Sequence, residues 1–455
     1  MSSKTLTEIF SVLEQRAKAL GVEVELLVER ADVFSLSVQK SEIEKFESSS
    51  SHCAGLRVLM DGYPGHAWTE DLSSEALDSA FDQAIENARF TAQANDASLK
   101  VELLAVDQAG TGGHELALFS DGLSKVSIDE KLERARTLEK AARDFDPRVS
   151  AVPYNGYTES ESEVLLWSSR GIHRSQRRTS ISGNSYCLVK NDDETRMGGE
   201  SFFTRDAQKT PVREIAEKAA VKALAKLGAK PPKTGRYPIV LESRVAASVM
   251  GLVSSGFSAK EVFEKNSLFA QELGALIASP VLSMVDDPHL EGGLGSRSFD
   301  GEGAWTKKTP IVTAGKLEHF ITDSVHARRM NLPHTASAAR GARSELGVGF
   351  SNLVVLPGSA SLEELLSRYP SMILITEFKG YHAGYQGRSG DFSFESEGEL
   401  WENGKRVGAL CNFVTSGNVR ELLRNLQEVG ADYAPRVSSV LCPDLLVGEL
   451  AVAGV

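Results

Sequence analysis

A metal ion or a general base needs several histidines and carboxylates gathered on one face, and the chain offers three such groups. His319, Asp323 and His326 stand at i, i+4 and i+7. On a helix that spacing puts two imidazoles and a carboxylate on one side, a donor set suited to a divalent metal. The same spacing also describes a solvated or hydrogen-bonded helix face. His114-Glu115 opens as a metallopeptidase helix opens, but no second histidine follows at i+4 or i+5. It therefore reads as a surface pair after the Gly-rich turn at 110–113. Asp286, Asp287 and His289 form an acidic cluster in which Asp-Asp-Pro also makes a good turn.

Glycines and aromatics crowd the stretch 376–404. Within it Gly390, Asp391, Phe392, Ser393 and Phe394 are the candidates for holding an extended peptide or forming an interface. A glycine without a Cβ lets another backbone approach, and Asp391 can orient the turn through its side chain. Tight turns between core strands would produce the same composition. Common cofactor and nucleophile signatures are missing. There is no Gly-x-Ser-x-Gly elbow, and Gly398 to Lys405 departs from phosphate-loop spacing with Arg406 in place of Ser or Thr. Gly292, Gly293 and Gly295 lack the third glycine of a dinucleotide fingerprint. No cofactor is expected in this chain.

The elements that must position these residues are legible from periodicity. Thr5 and Glu8 have capping-box spacing ahead of Leu6, Ile9, Phe10, Leu13, Ala17 and Leu20, an amphipathic helix. Val22, Val24 and Leu26 alternate with Glu23 and Glu25, a half-buried strand, and 33–38 and 43–47 read as two more. Asp61-Gly62 marks a hairpin, and Leu77, Ala80, Phe81, Ala84, Ile85 and Ala88 a second helix. Ser127 and Glu130 open a third helix, 150–205 reads as antiparallel strands, and Thr210-Pro211 opens a fourth helix. Lys230 to Gly235 is the linker candidate. The expectation is an α+β fold: an N-terminal domain over 1–230 with a mixed or antiparallel sheet and packed helices, then a strand-rich C-terminal domain over 236–455. In the latter a helix from about Val245 and a type I′ hairpin at Asn403-Gly404 are expected.

With 455 residues the chain can bury a large core unaided. Its net charge of −12 argues against nucleic acid as the main partner and against a basic membrane-surface anchor. The four cysteines are scattered without a Cys-x-x-Cys pair, as in a reducing compartment. No apolar run reaches the roughly 20 residues that span a bilayer. These features together imply a soluble, cytoplasmic protein.

Several C-terminal stretches carry a family resemblance. They are Phe299-Asp-Gly-Glu-Gly303, Ser324-Val-His-Ala-Arg-Arg329, Asn352-Leu-Val-Val-Leu-Pro-Gly358, Gly390-Asp-Phe-Ser393, Glu402-Asn-Gly-Lys405, Ser416-Gly-Asn418 and Ala451-Val-Ala-Gly454, in that order. The ordered set resembles the TldD/TldE family, whose TldE member is also called PmbA, and the N-terminal pattern fits it too. The resemblance implies a cytoplasmic metalloprotease of two related subunits that trims peptides and unfolded polypeptides, in a family also labelled a modulator of DNA gyrase. The TldD type carries His-Glu-x-x-x-His on a helix early in the C-terminal domain and a Cys in Gly-x-Cys-Gly-Lys near the end. The matching helix here, Val245 to Phe257, has no histidine, and Cys442 stands in Arg436-Val-Ser-Ser-Val-Leu-Cys442-Pro instead. The chain thus resembles the TldE type. That implies no metal in this chain, zinc in a TldD-like partner, and either a heterodimer with that partner or a homodimer. The glycine, aromatic and apolar segments after residue 345 are the expected interface.

Overall fold

The computed structural model describes residues 3–110 and 113–455; part of the turn expected at 110–113 lies outside them. Helix α1 (Ser3–Leu20) begins two residues before the expected Thr5 cap and buries Leu6, Phe10, Leu13 and Ala17 as one stripe. Strands β1 (Glu23–Gln39), β2 (Glu42–Met60) and β3 (Tyr63–Thr69) follow, then α2 (Ser74–Gln93). Helix α3 (Ile128–Phe145), strands β4 (Val149–Ser168), β5 (His173–Asn191) and β6 (Glu194–Thr204), and α4 (Val212–Ala225) complete the first half. The six strands form one antiparallel sheet in the order β3-β2-β1-β4-β5-β6.

The separate strands expected at 33–38 and 43–47 are instead the ends of two long ones, of 17 and 19 residues. Every residue from Glu42 to His52 is exposed, so no apolar alternation marks that half of β2. Main-chain pairing with β1, from Gln39↔Glu42 onward, carries it instead. Asp61 and Gly62 take φ of 50° and 85°, the conformation that a two-residue hairpin needs. All six apolar positions anticipated on α2 are buried, and the Ser127 hydroxyl accepts the Glu130 N–H at 3.2 Å to start α3.

Residues 230–235 are held by hydrogen bonds. The Lys230 N–H donates to Ala409 at 3.1 Å and that of Thr234 to Val455 at 2.9 Å. Strand β7 (Gly235–Leu241), α5 (Ser243–Ser254), α6 (Ala259–Phe263), β8 (Met284–Asp286), β9 (Thr309–Thr313) and β10 (Lys316–Leu317) come next. Helix α7 (Ser324–Met330), β11 (Ala338–Ala339), β12 (Gly347–Val348), β13 (Leu353–Val355) and α8 (Leu362–Leu365) follow. The chain ends with β14 (Ser371–Lys379), α9 (Tyr381–Gly384), β15 (Asp391–Glu402), β16 (Lys405–Asn418), α10 (Val419–Arg424), β17 (Glu428–Tyr433), β18 (Val440–Leu441) and β19 (Pro443–Ala453). One sheet runs β16-β15-β14-β7-β19-β17, and β16 also pairs with β19, so the sheet closes on itself. A second runs β10-β9-β8-β13-β18. A single large apolar core joins α5 to both. The α+β expectation holds. Among the described residues no helix is long and apolar enough to cross a membrane.

Candidate functional site

Helix α5 turns Val245, Ala246, Val249, Met250 and Val253 into the core. Its other face carries Arg244, Ala247, Ser248 and Gly251 at i, i+3, i+4 and i+7. These four line a cavity of about 350 Å³ whose far wall is the segment 433–442. Ser243 fixes the geometry at the helix start. Its N–H donates to Asp444 Oδ1 at 2.8 Å, its hydroxyl donates to the Cys442 carbonyl at 2.6 Å, and it accepts the Ala434 N–H at 2.8 Å. Burial pushes the Asp444 carboxyl up to about 6 and holds the Cys442 thiol well above its ordinary value. The polar groups on the cavity wall are hydroxyls, guanidiniums, the Tyr433 phenol, the Cys442 thiol and main chain, and among the described residues no imidazole or carboxylate lines it. A single thiol with no imidazole or carboxylate beside it falls short of the three or four protein ligands of a tetrahedral zinc site.

The Gly390–Phe394 segment has a different character from the one expected. Phe392 and Phe394 are 5% and 1% exposed and stack at 5.3 Å inside the C-terminal core, so they are corrected from contact-surface residues to core residues. The main chain from Asp391 to Phe394 pairs with β16 on one side. On the other side Tyr385 bridges Phe392, and the Gln386 N–H donates to the Asp391 carbonyl at 2.9 Å. An added peptide strand finds little free edge there. Gly390 has φ of 80°, and a Cβ would meet nothing closer than Leu268 at 3.4 Å, so conformation and not close approach demands the glycine. Asp391 accepts from Asn418 Nδ2 at 2.8 Å, which holds its carboxyl below the usual value, and Ser393 is exposed.

Of the histidine groups, only part converges. Asp323 is the N-cap of α7, accepting the His326 N–H at 2.6 Å and holding His326 Nδ1 at 2.8 Å. A residue whose side chain caps the helix marks its start, so His319 precedes the helix and does not share its face. Its Nδ1 lies 2.9 Å from the Pro310 carbonyl. Asp286 turns inward and accepts the Ser351 and Asn352 N–H groups, with burial pushing its carboxyl up to about 7. Asp287 pairs with Lys308 at 2.9 Å, and His289 lies against His114 with ring centroids 4.1 Å apart.

A cluster that spacing did not reveal is Asp300, Glu302 and His334, whose ligand-type atoms all lie within 4.8 Å of one another. Both carboxylates are buried, and both already have work. Asp300 accepts the N–H groups of Glu302, Ala304 and Ala338, and Glu302 accepts the Ser324 N–H at 2.8 Å and its hydroxyl at 2.6 Å. They anchor the turn at 300–304 to the start of α7. Burial, with the nearby Asp300 and Asp323 charges, pushes the Glu302 carboxyl up to about 7. The only sequence signal was the Asp-Gly-Glu of the family resemblance.

The polar face of the N-terminal sheet meets this region. Glu25, Arg57 and His66 are direct cross-strand neighbours on β1, β2 and β3. Glu25, expected on the wet side of a half-buried strand, is 1% exposed because the loop 340–342 covers it. The Ala342 N–H donates to Glu29 at 2.8 Å, and its carbonyl lies 3.1 Å from His66 Nε2.

This closed C-terminal sheet behind a six-stranded N-terminal sheet is the architecture of a known family, and the chain belongs to it. The PmbA/TldA metallopeptidase domain 1, central domain and C-terminal domain match residues 24–88, 121–227 and 234–454. The metalloprotease PmbA of Escherichia coli O157:H7 is 26% identical over 453 residues, 99% of this chain and 96% of that one. A metalloprotease TldD homolog of Buchnera aphidicola is 28% identical over 326 residues, 69% of this chain and 66% of that one. A Thermotoga maritima crystal structure, of a protein whose description connects it with modulation of a DNA gyrase, superposes with a TM-score of 0.90 at 26% identity. It covers 98% of this chain and 100% of that one. TldE from Thermococcus kodakarensis has the same fold, with a TM-score of 0.87 at 23% identity, covering 98% and 100%.

Proposed function

We propose that this chain is the PmbA/TldE-type, metal-free subunit of a cytoplasmic two-subunit peptidase that trims peptides and unfolded polypeptides. A TldD-type partner supplies the zinc. The supporting observation is the cavity between α5 and 433–442. The two segments that the resemblance requires for a metal site do face each other, yet Arg244, Ala247, Ser248 and Gly251 occupy the helix face and Cys442 is tied to the helix start through its main-chain carbonyl. A wall with one thiol and neither an imidazole nor a carboxylate supports a subunit that leaves zinc binding and water activation to its partner. The relatives that carry the metalloprotease name support the reaction class.

The test is reconstitution. The purified chain alone is expected to hold sub-stoichiometric zinc after dialysis and to leave peptides uncut. Addition of a subunit carrying His-Glu-x-x-x-His should give hydrolysis above that of the added subunit by itself. Dialysis-resistant stoichiometric zinc with hydrolysis by the chain alone would overturn the reading, as would a partner whose activity the chain does not change.

A further inference from the structure

The cavity between α5 and the segment 433–442, about 350 Å³, falls in the size range of small-ligand sites. We propose that it holds the carboxylate of a peptide, between Arg244 on the helix wall and Arg436 on the loop wall. The choice of a peptide rests on the peptidase reading, while binding to the chain alone decides the site whether or not reconstitution succeeds.

Charge on this wall has one sign. Arg244 and Arg436 line it, and no carboxylate among the described residues does. The glutamates near Arg244 lie on its other side: Glu242, Glu377, Glu397 and Glu399 line the neighbouring cavity, which Arg244 also borders. Through Nη2 Arg244 pairs with Glu200, a carboxylate that Lys222 shares at 3.0 Å. Its side chain makes no other hydrogen bond among the described residues and keeps 24% of its surface open. Arg436 is exposed and forms no ion pair among the described residues; its Nη1 donates to the Glu291 carbonyl. Each guanidinium therefore retains N–H groups for a carboxylate, whose planar pair of oxygens matches the guanidinium fork.

Other donors on the wall are already in use. The Ser248 hydroxyl donates to the Arg244 carbonyl at 2.9 Å, that of Ser438 to Val440 at 2.8 Å, and the Tyr433 phenol to Val355 at 2.8 Å. Recognition of an anion thus falls to the two arginines. Beside them Ala247 and Gly251 on α5, with Val437 and Val440 on the loop, offer an apolar seat for a side chain. A Cβ on Gly251 would meet only Val440 Cγ2, at 3.8 Å, so the space along the helix is open.

Isothermal titration of the full chain with N-acetyl-Ala-Ala-Phe tests the proposal, with no hydrolysis involved. The free acid should bind, and its C-terminal amide should bind tenfold or more weakly, the change expected from losing a charge-assisted contact. N-acetyl-Ala-Glu-Phe-amide separates the two sources of a peptide carboxylate. Affinity equal to that of the acid assigns the site to acidic side chains as well, and affinity as weak as that of the amide assigns it to the chain end. Arg436→Met removes an exposed side chain without an ion pair and should weaken the acid tenfold or more at unchanged Tm. Gly251→Leu exchanges a helix-interior glycine for a good helix former whose side chain fills the cavity, so binding should be lost while the fold holds. Should either variant fail to fold, the comparison of acid with amide on the wild-type chain still decides. Equal binding of acid and amide, no heat from the acid at millimolar concentration, or wild-type affinity in both variants would overturn the proposal.

Discussion

Glu302→Gln isolates one buried acid whose ionisation the fold opposes. Burial, with the Asp300 and Asp323 charges, raises its carboxyl from an ordinary 4.5 to about 7. At about 1.36 kcal/mol per pH unit, the ionised form costs the fold on the order of 3 kcal/mol at most. The direction follows from proton counting. Below 4.5 the group is protonated folded and unfolded, and contributes nothing. Between 4.5 and about 7 the unfolded chain has released its proton while the folded chain keeps it, so stability falls as pH rises. Above about 7 the full penalty stands. Glutamine has no such titration and keeps one oxygen for Ser324, at a pH-independent loss of about 1 kcal/mol for the second acceptor. Urea unfolding of both proteins from about pH 5 to 8 reads the difference. The variant should trail the wild type at the acid end and overtake it at the neutral end. A stability difference that stays constant across that range would refute the assignment of Glu302 as a raised, buried acid.

Two further outcomes follow from backbone geometry. Gly390→Val forces a β-branched residue to φ near 80°, so the melting temperature should drop by an amount corresponding to about 1–2 kcal/mol. Activity of the reconstituted complex should fall only in proportion to folded protein; full stability with lost activity would restore a peptide-holding role. Gly55→Val drives a Cβ to within 2.1 Å of the Ala342 carbonyl. It should loosen the seam between the halves, seen as faster proteolytic cutting within 340–346, and an unchanged cutting rate would show the contact to be dispensable.

Local patterns in the sequence matched the structure wherever one element buries one stripe. The α2 positions, the Ser127 cap and the Asn403-Gly404 turn (φ of 49° and 71°) all follow from side chains within a few residues of one another. What could not be read is non-local. The outer half of β2 has no buried face, and its strand identity comes entirely from β1. The closure of β16 onto β19 joins Ser416 to Ala451 without any marker in either segment. Glu25 looks like a solvent-facing member of an alternating strand, and only the loop carrying Arg340, over 300 residues on, converts it into a buried countercharge. The same distance hides the shared ion pair at the seam, whose two arginines, Arg57 and Arg340, lie on different halves. His319 misled for the opposite reason: its spacing was helical, but the Asp323 side chain is committed to starting the helix.

On the metal-free reading, the helix and C-terminal segment need a different connection from the one an ion would provide. Ser243 supplies it, with three hydrogen bonds to Asp444, Cys442 and Ala434. At about 1 kcal/mol each these amount to roughly 3 kcal/mol, well below the apparent 10–16 kcal/mol of a structural zinc site. The rest comes from α5 burying Val245, Val249, Met250 and Val253 in the large C-terminal core. Packing therefore holds in place a helix face that has no ligand to present. At the seam between the halves the connection is ionic instead: Arg57 and Arg340 share Glu25, and His326 is oriented by Asp323.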